Sequence, residues 1–358
     1  GMQRGVIAAC SYEARKFGVH SAMPSIKARR LCPQLVMLPV RMSLYKEVSR
    51  RIQSLFYQYT DLVEPLSLDE AFLDVSDSEH CRGSATLIAK EIRSRIFAME
   101  RLTASAGVAP NKFLAKVASD WEKPNGQFVI KPDEIEGFVK QLPVKRIFGV
   151  GKVTGKRLAG LGIENCQQLQ TLSETELSQH FGVFGQRLYE LSRGVDERPV
   201  TTHRTPKSLS VEETYVTDLP SLLDCTEEIP VLYKEFIERL DKTQKRMNLR
   251  TRTLFVKLRF DDFETTTIQM AGTSPSEAGF THLCEQAWQR GKRPVRLIGI
   301  GVQFNRRQPQ LLAIGGEDRG QRCGRCDTRI AARESWGSPW VDIGDVDDQV
   351  LLGFVAGE

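Results

Sequence analysis

The chain has 358 residues, 41% hydrophobic and 27% charged, a composition that excludes wholesale disorder and suggests about two to four folded domains. Lys and Arg outnumber Asp and Glu by 50 to 45, but residues 315–358 hold nine acidic residues against five arginines, so the body carries +9 and the tail −4. That asymmetry favours a polyanionic partner for the body, with an ordinary solvated surface as the alternative; the lack of any 18-residue apolar run and the start Gly1-Met2-Gln3-Arg4-Gly5 argue against membrane and secreted classes.

In chain order, residues 1–41 read as a small helical unit punctuated by Pro33 and Pro39, with a helix start at Tyr12 that ends at Gly18. Leu44, Val48, Ile52, Leu55 and Phe56 give residues 42–59 one apolar face of a helix. Two strands at 62–66 and 71–75 follow, with acidic residues at their junction, then helix 84–99, strand 103–109, helix 111–121 and strand 127–130. This alternation describes an α+β sheet domain. Residues 131–198 show short, glycine-punctuated helices without strand patterning, and 199–206 read as an extended linker. A second sheet domain runs from strand 207–215 through helix 226–247, strands 252–260 and 264–270 and helix 276–290 to strand 295–304, a βαββαβ order of the split ferredoxin-like kind. Residues 306–348 are rich in Gly, Arg and Asp and are expected to be a flexible tail.

The eight cysteines have no framework spacing, which points to a reducing, cytoplasmic setting. Cys323 and Cys326 form one CxxC without the second ligand pair of a structural zinc site and read as loop thiols. Around Phe148-Gly149-Val150-Gly151-Lys152, a Gly-x-Gly turn between two short helices directs backbone N–H groups outward at a helix start, where a phosphate can sit. Lys152, Lys156 and Arg157 add charge, as in a helix-hairpin-helix that grips nucleic-acid backbone. A P-loop is excluded, because it would need Gly at Val150 and Ser or Thr at Arg157. A turn that only tolerates glycine is the alternative. Asp69 and Glu70 place two carboxylates at a strand junction, where a divalent cation relieves their repulsion, although such a pair taken alone is more often solvated.

Four blocks in order raise these readings together. Tyr12-Glu13-Ala14-Arg15-Lys16-Phe17-Gly18-Val19 with Ser21-Ala22-Met23-Pro24, then Ser67-Leu68-Asp69-Glu70-Ala71-Phe72-Leu73-Asp74, then residues 104–116, then Lys123-Pro124-Asn125-Gly126 resemble the Y-family translesion DNA polymerases, in particular their bacterial members. The resemblance runs from residue 1 to about residue 305. It implies a right-hand polymerase: fingers at 1–41, a ferredoxin-like palm at 42–130, a helix-hairpin-helix thumb at 131–198, the linker at 199–206, and a little finger at 207–305 followed by the tail 306–358.

The resemblance further implies that Asp69 and Glu70 hold two Mg²⁺ ions, and that Tyr12, Arg15 and Lys123 hold the incoming dNTP. Primer-template DNA would be gripped by Gly149, Gly151, Lys152, Lys156, Arg157, Lys207, Lys257, Arg259 and Arg296. Gln349, Leu351, Leu352 and Phe354 are similar to the peptide by which such polymerases dock on a sliding clamp; a frayed apolar end is the alternative. The chain is expected to be a monomer.

Two departures qualify the match. Gly5-Val6-Ile7-Ala8 already corresponds to an internal part of the family, so the palm strand that carries another metal-binding Asp is missing, and its neighbours are expected to be left with unpaired backbone groups. Ala9 stands where relatives often have Thr. Two competing functions follow: a DNA- and clamp-binding remnant without polymerase activity, and a hydrolytic nuclease using the same acidic pair.

Overall fold

A computed structural model describes residues 4–272 and 274–305, together with the backbone of 350–355. Two bodies emerge, one built from residues 6–204 with the segment 350–355, the other from residues 205–305 with Arg4 and Gly5.

The larger body opens with two short helices, α1 (Tyr12–Lys16) and α2 (Ser25–Leu31). The Ser11 hydroxyl accepts from the Ala14 N–H at the start of α1, satisfying a backbone donor that the first helical turn leaves without a partner. Cys10, Ala14, Val19, Met23 and Ala28 form a small core beneath these helices.

Next come α3 (Met42–Phe56), the hairpin β1 (Val63–Pro65) and β2 (Glu70–Asp74), α4 (Ala85–Glu100), β3 (Ala104–Ala109), α5 (Lys112–Ser119) and β4 (Gln127–Val129). The apolar stripe predicted for α3 buries Ile52, Leu55 and Phe56 against Ile88, Ile92 and Ile96 of α4 and against Leu73, Ala106 and Val108 of the sheet. On the opposite sheet face α5 passes so close to β3 that a Cβ on Gly107 would stand 2.1 Å from the Ala115 carbonyl oxygen. Only glycine fits there.

The palm's expected bare centre is filled. Strands run in the order β1-β2-β9-β3-β4, and β9 (Val350–Val355) lies parallel to β2 on one side and β3 on the other. The register matches Glu70 with Leu351 and Asp74 with Val355 across one ladder, and Ala104 with Val350 and Ala109 with Val355 across the other. The expectation of a tail from 306 to 358 is corrected for these six residues, which satisfy backbone groups of both neighbouring strands. Residues 306–349, with Cys323, Cys326 and Gln349, lie outside the described residues.

The segment after β4 is helical: α6 (Ile135–Gln141), α7 (Lys152–Gly160), α8 (Cys166–Leu169), α9 (Glu174–Phe181) and α10 (Val183–Leu191). Its core of Val144, Ile147, Leu158, Leu169, Leu177 and Leu188 is continuous with Phe113 and Leu114 of α5, which ties these helices to the five-stranded sheet. Gly185 of α10 would bring a Cβ within 2.3 Å of the Leu177 backbone, so this glycine serves helix packing.

The smaller body holds β5 (Ser208–Leu219), α11 (Leu222–Glu227), α12 (Ile229–Met247), β6 (Thr251–Phe260), β7 (Thr265–Ala271), α13 (Glu277–Gln289) and β8 (Val295–Phe304). Its sheet runs β5-β8-β6-β7 with antiparallel neighbours, so β5 and β6 flank β8 while β7 and β8 flank β6, two interlocked split βαβ units. Phe236, Leu240, Phe280 and Leu283 of α12 and α13 cover one face, where Val256, Leu258, Ile298 and Ile300 are fully buried. Arg4 joins this body through the Tyr215 carbonyl oxygen and Asp218.

Candidate active site

The acidic pair sits where the β1–β2 hairpin turns. Ser67 organises the turn: its hydroxyl donates to Asp69 Oδ1 at 2.5 Å and accepts from the backbone N–H groups of Asp69 and Glu70. Asp69 and Glu70 are both half-buried. Burial pushes the Asp69 carboxyl above its ordinary pKa, the Ser67 hydrogen bond opposes the shift, and the charge of Glu70 adds to it. Glu70 Oε1 accepts from Lys116 Nζ at 2.9 Å. Such a turn, with hard oxygen donors and a carboxyl strained by burial and by a like charge, suits a magnesium ion held by one or two carboxylates and completed by water and substrate phosphates. Among the described residues no group of three acidic, His or Cys side chains gathers as a ready-made metal cage.

The side chains expected to hold the nucleotide lie in the same body. Tyr12 and Arg15 face each other one turn apart on α1, with the guanidinium carbon 6.0 Å from the ring centroid. Lys123, just past α5, pairs with Asp120 at 2.6 Å.

The glycine hairpin takes the expected form. Gly149 has φ +97°, a conformation that favours glycine, and a Cβ there would press within 3.0 Å of the Phe184 ring. Gly151 caps α7 with open space where a Cβ would project, and Lys152 and Lys156 are exposed along that helix. The first N–H groups of α7 have no partner within the helix by its geometry. Arg157 is engaged elsewhere: its Nη2 donates to the His180 carbonyl oxygen at 2.6 Å and its guanidinium lies 5.2 Å from the Phe181 ring centroid. It ties α7 to the end of α9 while its side chain stays exposed.

In the smaller body, Lys257 and Arg259 project from β6 on the sheet face opposite the helices, in register with the small Gly299 and with Leu297 of β8. Lys257 Nζ is 2.6 Å from Glu212 Oε2, and Arg259 Nε donates to the Thr265 hydroxyl at 3.3 Å. Arg296 stands at the β8 irregularity with its guanidinium 4.7 Å from the Phe263 ring centroid, and Lys207 is exposed just ahead of β5.

Three features had no separate signal in the sequence. Lys112, only 5% exposed, pairs with Glu64 of β1 and donates to the Pro199 carbonyl oxygen at 3.1 Å. The Thr201 N–H reaches the same Glu64 at 2.8 Å. Lys116 stands between Glu70 and Phe148, its ammonium 5.9 Å from that ring centroid, and so joins the acidic turn to the first residue of the hairpin loop. The spacing of Lys112 and Lys116 on one helix face was visible, but their partners lie 48 and 46 positions away, respectively.

Fold and site define a multi-domain α+β polymerase. Residues 1–120 match the impB/mucB/samB family, residues 145–196 the thumb domain described for DNA polymerase-iota, and residues 206–311 the impB/mucB/samB C-terminal domain. The chain belongs to the Y family of DNA polymerases, which are DNA-directed nucleotidyltransferases. It is 52% identical over 303 residues to the DNA polymerase IV of Pseudomonas syringae pv. tomato, covering 85% of each chain. Against the DNA polymerase IV of Legionella pneumophila the identity is 50% over 302 residues, covering 84% of each. Among solved structures, a Y-family chimera of the Dbh and Dpo4 polymerases is similar with TM-score 0.75 and 29% identity, over 85% of this chain and 88% of that one. An insertion ternary complex of Dbh DNA polymerase gives TM-score 0.58 at 29% identity, over 84% and 88%.

Proposed function

We propose that this chain extends a DNA primer along a template, including past damaged bases, by a low-fidelity, distributive nucleotidyl transfer. The observation that carries the reading is the Asp69–Glu70 turn joined through Lys116 to the Gly149–Gly151 hairpin, in a chain half-identical to DNA polymerase IV. Asp69 and Glu70 would hold the magnesium. When bound, two such ions lower the pKa of a primer 3′-hydroxyl and offset the charge of a leaving pyrophosphate.

The protein's own side chains do the rest. Arg15 and Lys123 would offset triphosphate charge, and Tyr12 would offer a phenolic hydrogen bond. Ser67 keeps Asp69 oriented. The hairpin with Lys152 and Lys156, and the open sheet face with Lys257 and Arg259, would take the phosphodiester backbone without reading its sequence. Docking of 349–354 on a sliding clamp is compatible with this reading only when that segment has left the palm sheet, where 350–355 are paired on both sides. The setting is the cytoplasm and the working unit a monomer.

A second reading, a DNA-binding chain without polymerase activity, draws on the fact that no third acidic, His or Cys side chain joins Asp69 and Glu70 in a metal-holding group among the described residues. One gel separates the alternatives. Primer extension with Mg²⁺ and dNTPs is expected from the wild type and lost in Asp69→Ala, with DNA affinity nearly unchanged. Absence of extension by the wild type with intact DNA binding would favour the second reading, and strand cleavage would favour a nuclease.

A further inference from the structure

Helix α5 turns two lysines toward the acidic hairpin, and they differ in what they can do. Lys112 is buried, pairs with Glu64 and is held by the Pro199 carbonyl oxygen, so it is a fixed strut. Lys116 pairs with Glu70, its charge also acts on Asp69, and its side chain is 19% exposed. Its other neighbour is the ring of Phe148, itself 57% exposed at the mouth of the hairpin loop. The Lys116 ammonium therefore stands between a carboxylate suited to a divalent cation and a loop suited to a phosphodiester.

One ammonium does not serve both anions equally in all states. A divalent cation on Glu70 cancels the attraction that holds Lys116 there and repels its charge. The ammonium sits on a flexible four-carbon stem and can swing to the next anion within reach. At this site that anion is a backbone phosphate lying on the 148–151 loop. We propose that Lys116 is a positioning residue that exchanges partners: it neutralises Glu70 while the turn carries no cation, and contacts a DNA phosphate at the hairpin once a cation has taken Glu70. The inference rests on the assignment of Asp69 and Glu70 as the cation's ligands. It couples two events otherwise independent, filling of the acidic turn and tightening of the thumb on DNA.

The test uses the full chain as wild type, Lys116→Gln, Lys116→Arg and Asp69→Ala, with two readouts other than activity. In Mn²⁺ titrations followed by paramagnetic resonance without DNA, Lys116→Gln is expected to bind Mn²⁺ roughly two- to five-fold more tightly, because a competing, partly exposed ion pair is gone. In anisotropy titrations of a primer–template duplex with Mg²⁺, the same variant is expected to lower the log–log salt slope by about 0.9, one phosphate contact. With EDTA in place of Mg²⁺ the slope should equal that of the wild type, and Lys116→Arg should behave as wild type throughout. Unchanged or weaker Mn²⁺ binding by Lys116→Gln, or a slope lowered equally in EDTA, would overturn the exchange and make Lys116 a fixed contact. If that occurs while Asp69→Ala abolishes Mn²⁺ binding, the exchange alone fails. A wild type that binds no Mn²⁺, or an Asp69→Ala variant that binds it normally, overturns the ligand assignment and the exchange with it.

Discussion

Gly353 of β9 stands in register with Gly107 of β3, where the backbone of α5 passes close to the sheet. A Cβ on Gly107 would meet the Ala115 carbonyl oxygen at 2.1 Å and the Ser119 nitrogen at 2.3 Å. A slip of β9 by one residue would set position 352 or 354 beside Gly107. The glycine pair thus marks the register of a strand that reaches the palm from the far end of the chain.

From this register, the amides of 350–355 are expected to exchange slowly with solvent deuterium in the full chain, in step with β2 and β3. Gly353→Pro, which removes a ladder donor, should release that protection at 350–355 and raise exchange in β2. Peptide-resolved exchange followed by mass spectrometry reads both; amides of 350–355 exchanging as fast as in an unstructured peptide would contradict the pairing.

Gly107→Ala cannot be absorbed by a side-chain shift, because the atoms it meets are backbone. The variant is expected to lose about 3 kcal/mol or more through overpacking. A urea melt of the larger body, followed by Trp121 fluorescence, measures it, and a midpoint unchanged from wild type would refute the close approach.

Lys112→Ala leaves Glu64 half-buried beside the Thr201 N–H with its cation gone. A cost of about 3 kcal/mol is expected, the penalty for stranding one member of a largely buried pair. The linker should loosen with it, so limited proteolysis near 199–206 ought to quicken.

Gly149→Ala places a Cβ on a residue with φ +97° and 3.0 Å from the Phe184 ring. The expected cost to stability is about 1–2 kcal/mol, with weaker binding to every DNA sequence alike, because the loop offers backbone contacts. Competition between two unrelated duplexes shows whether the loss is uniform.

Asp196, its side chain fully buried, is held by Arg187 and Arg198. Burial opposes its ionisation, but hydrogen bonds from Arg198 and Arg187 outweigh that effect and keep its pKa at about 2. A carboxyl depressed in the folded state stabilises the fold above its unfolded pKa, and the benefit disappears as pH falls toward about 2. The contribution at neutral pH is about 2 kcal/mol. Asp196→Asn should therefore be less stable at pH 7 and show a flatter loss of urea midpoint between pH 4 and pH 2.

Much of this molecule was legible in the chain because it is local. The apolar spacing of Ile52, Leu55 and Phe56 describes one face of α3 wherever that helix docks. A Gly-x-Gly between helical stretches needs only its own φ angles to make a hairpin, and adjacent carboxylates repel whatever surrounds them. The four blocks resembling the family all lie within residues 1–130, a stretch whose first 120 residues match the impB/mucB/samB family. Pairings between distant segments were decided only by the tertiary structure. Nothing in the spacing of Arg157 foretells its tie to the His180 carbonyl. Nothing in Val350–Val355 distinguishes a free apolar peptide from a central strand, since an extended segment acquires its role from the ladder that receives it. Lys116 belongs with these: its charge is written in the sequence, but its position between Glu70 and Phe148 exists only because α5 crosses the sheet over Gly107.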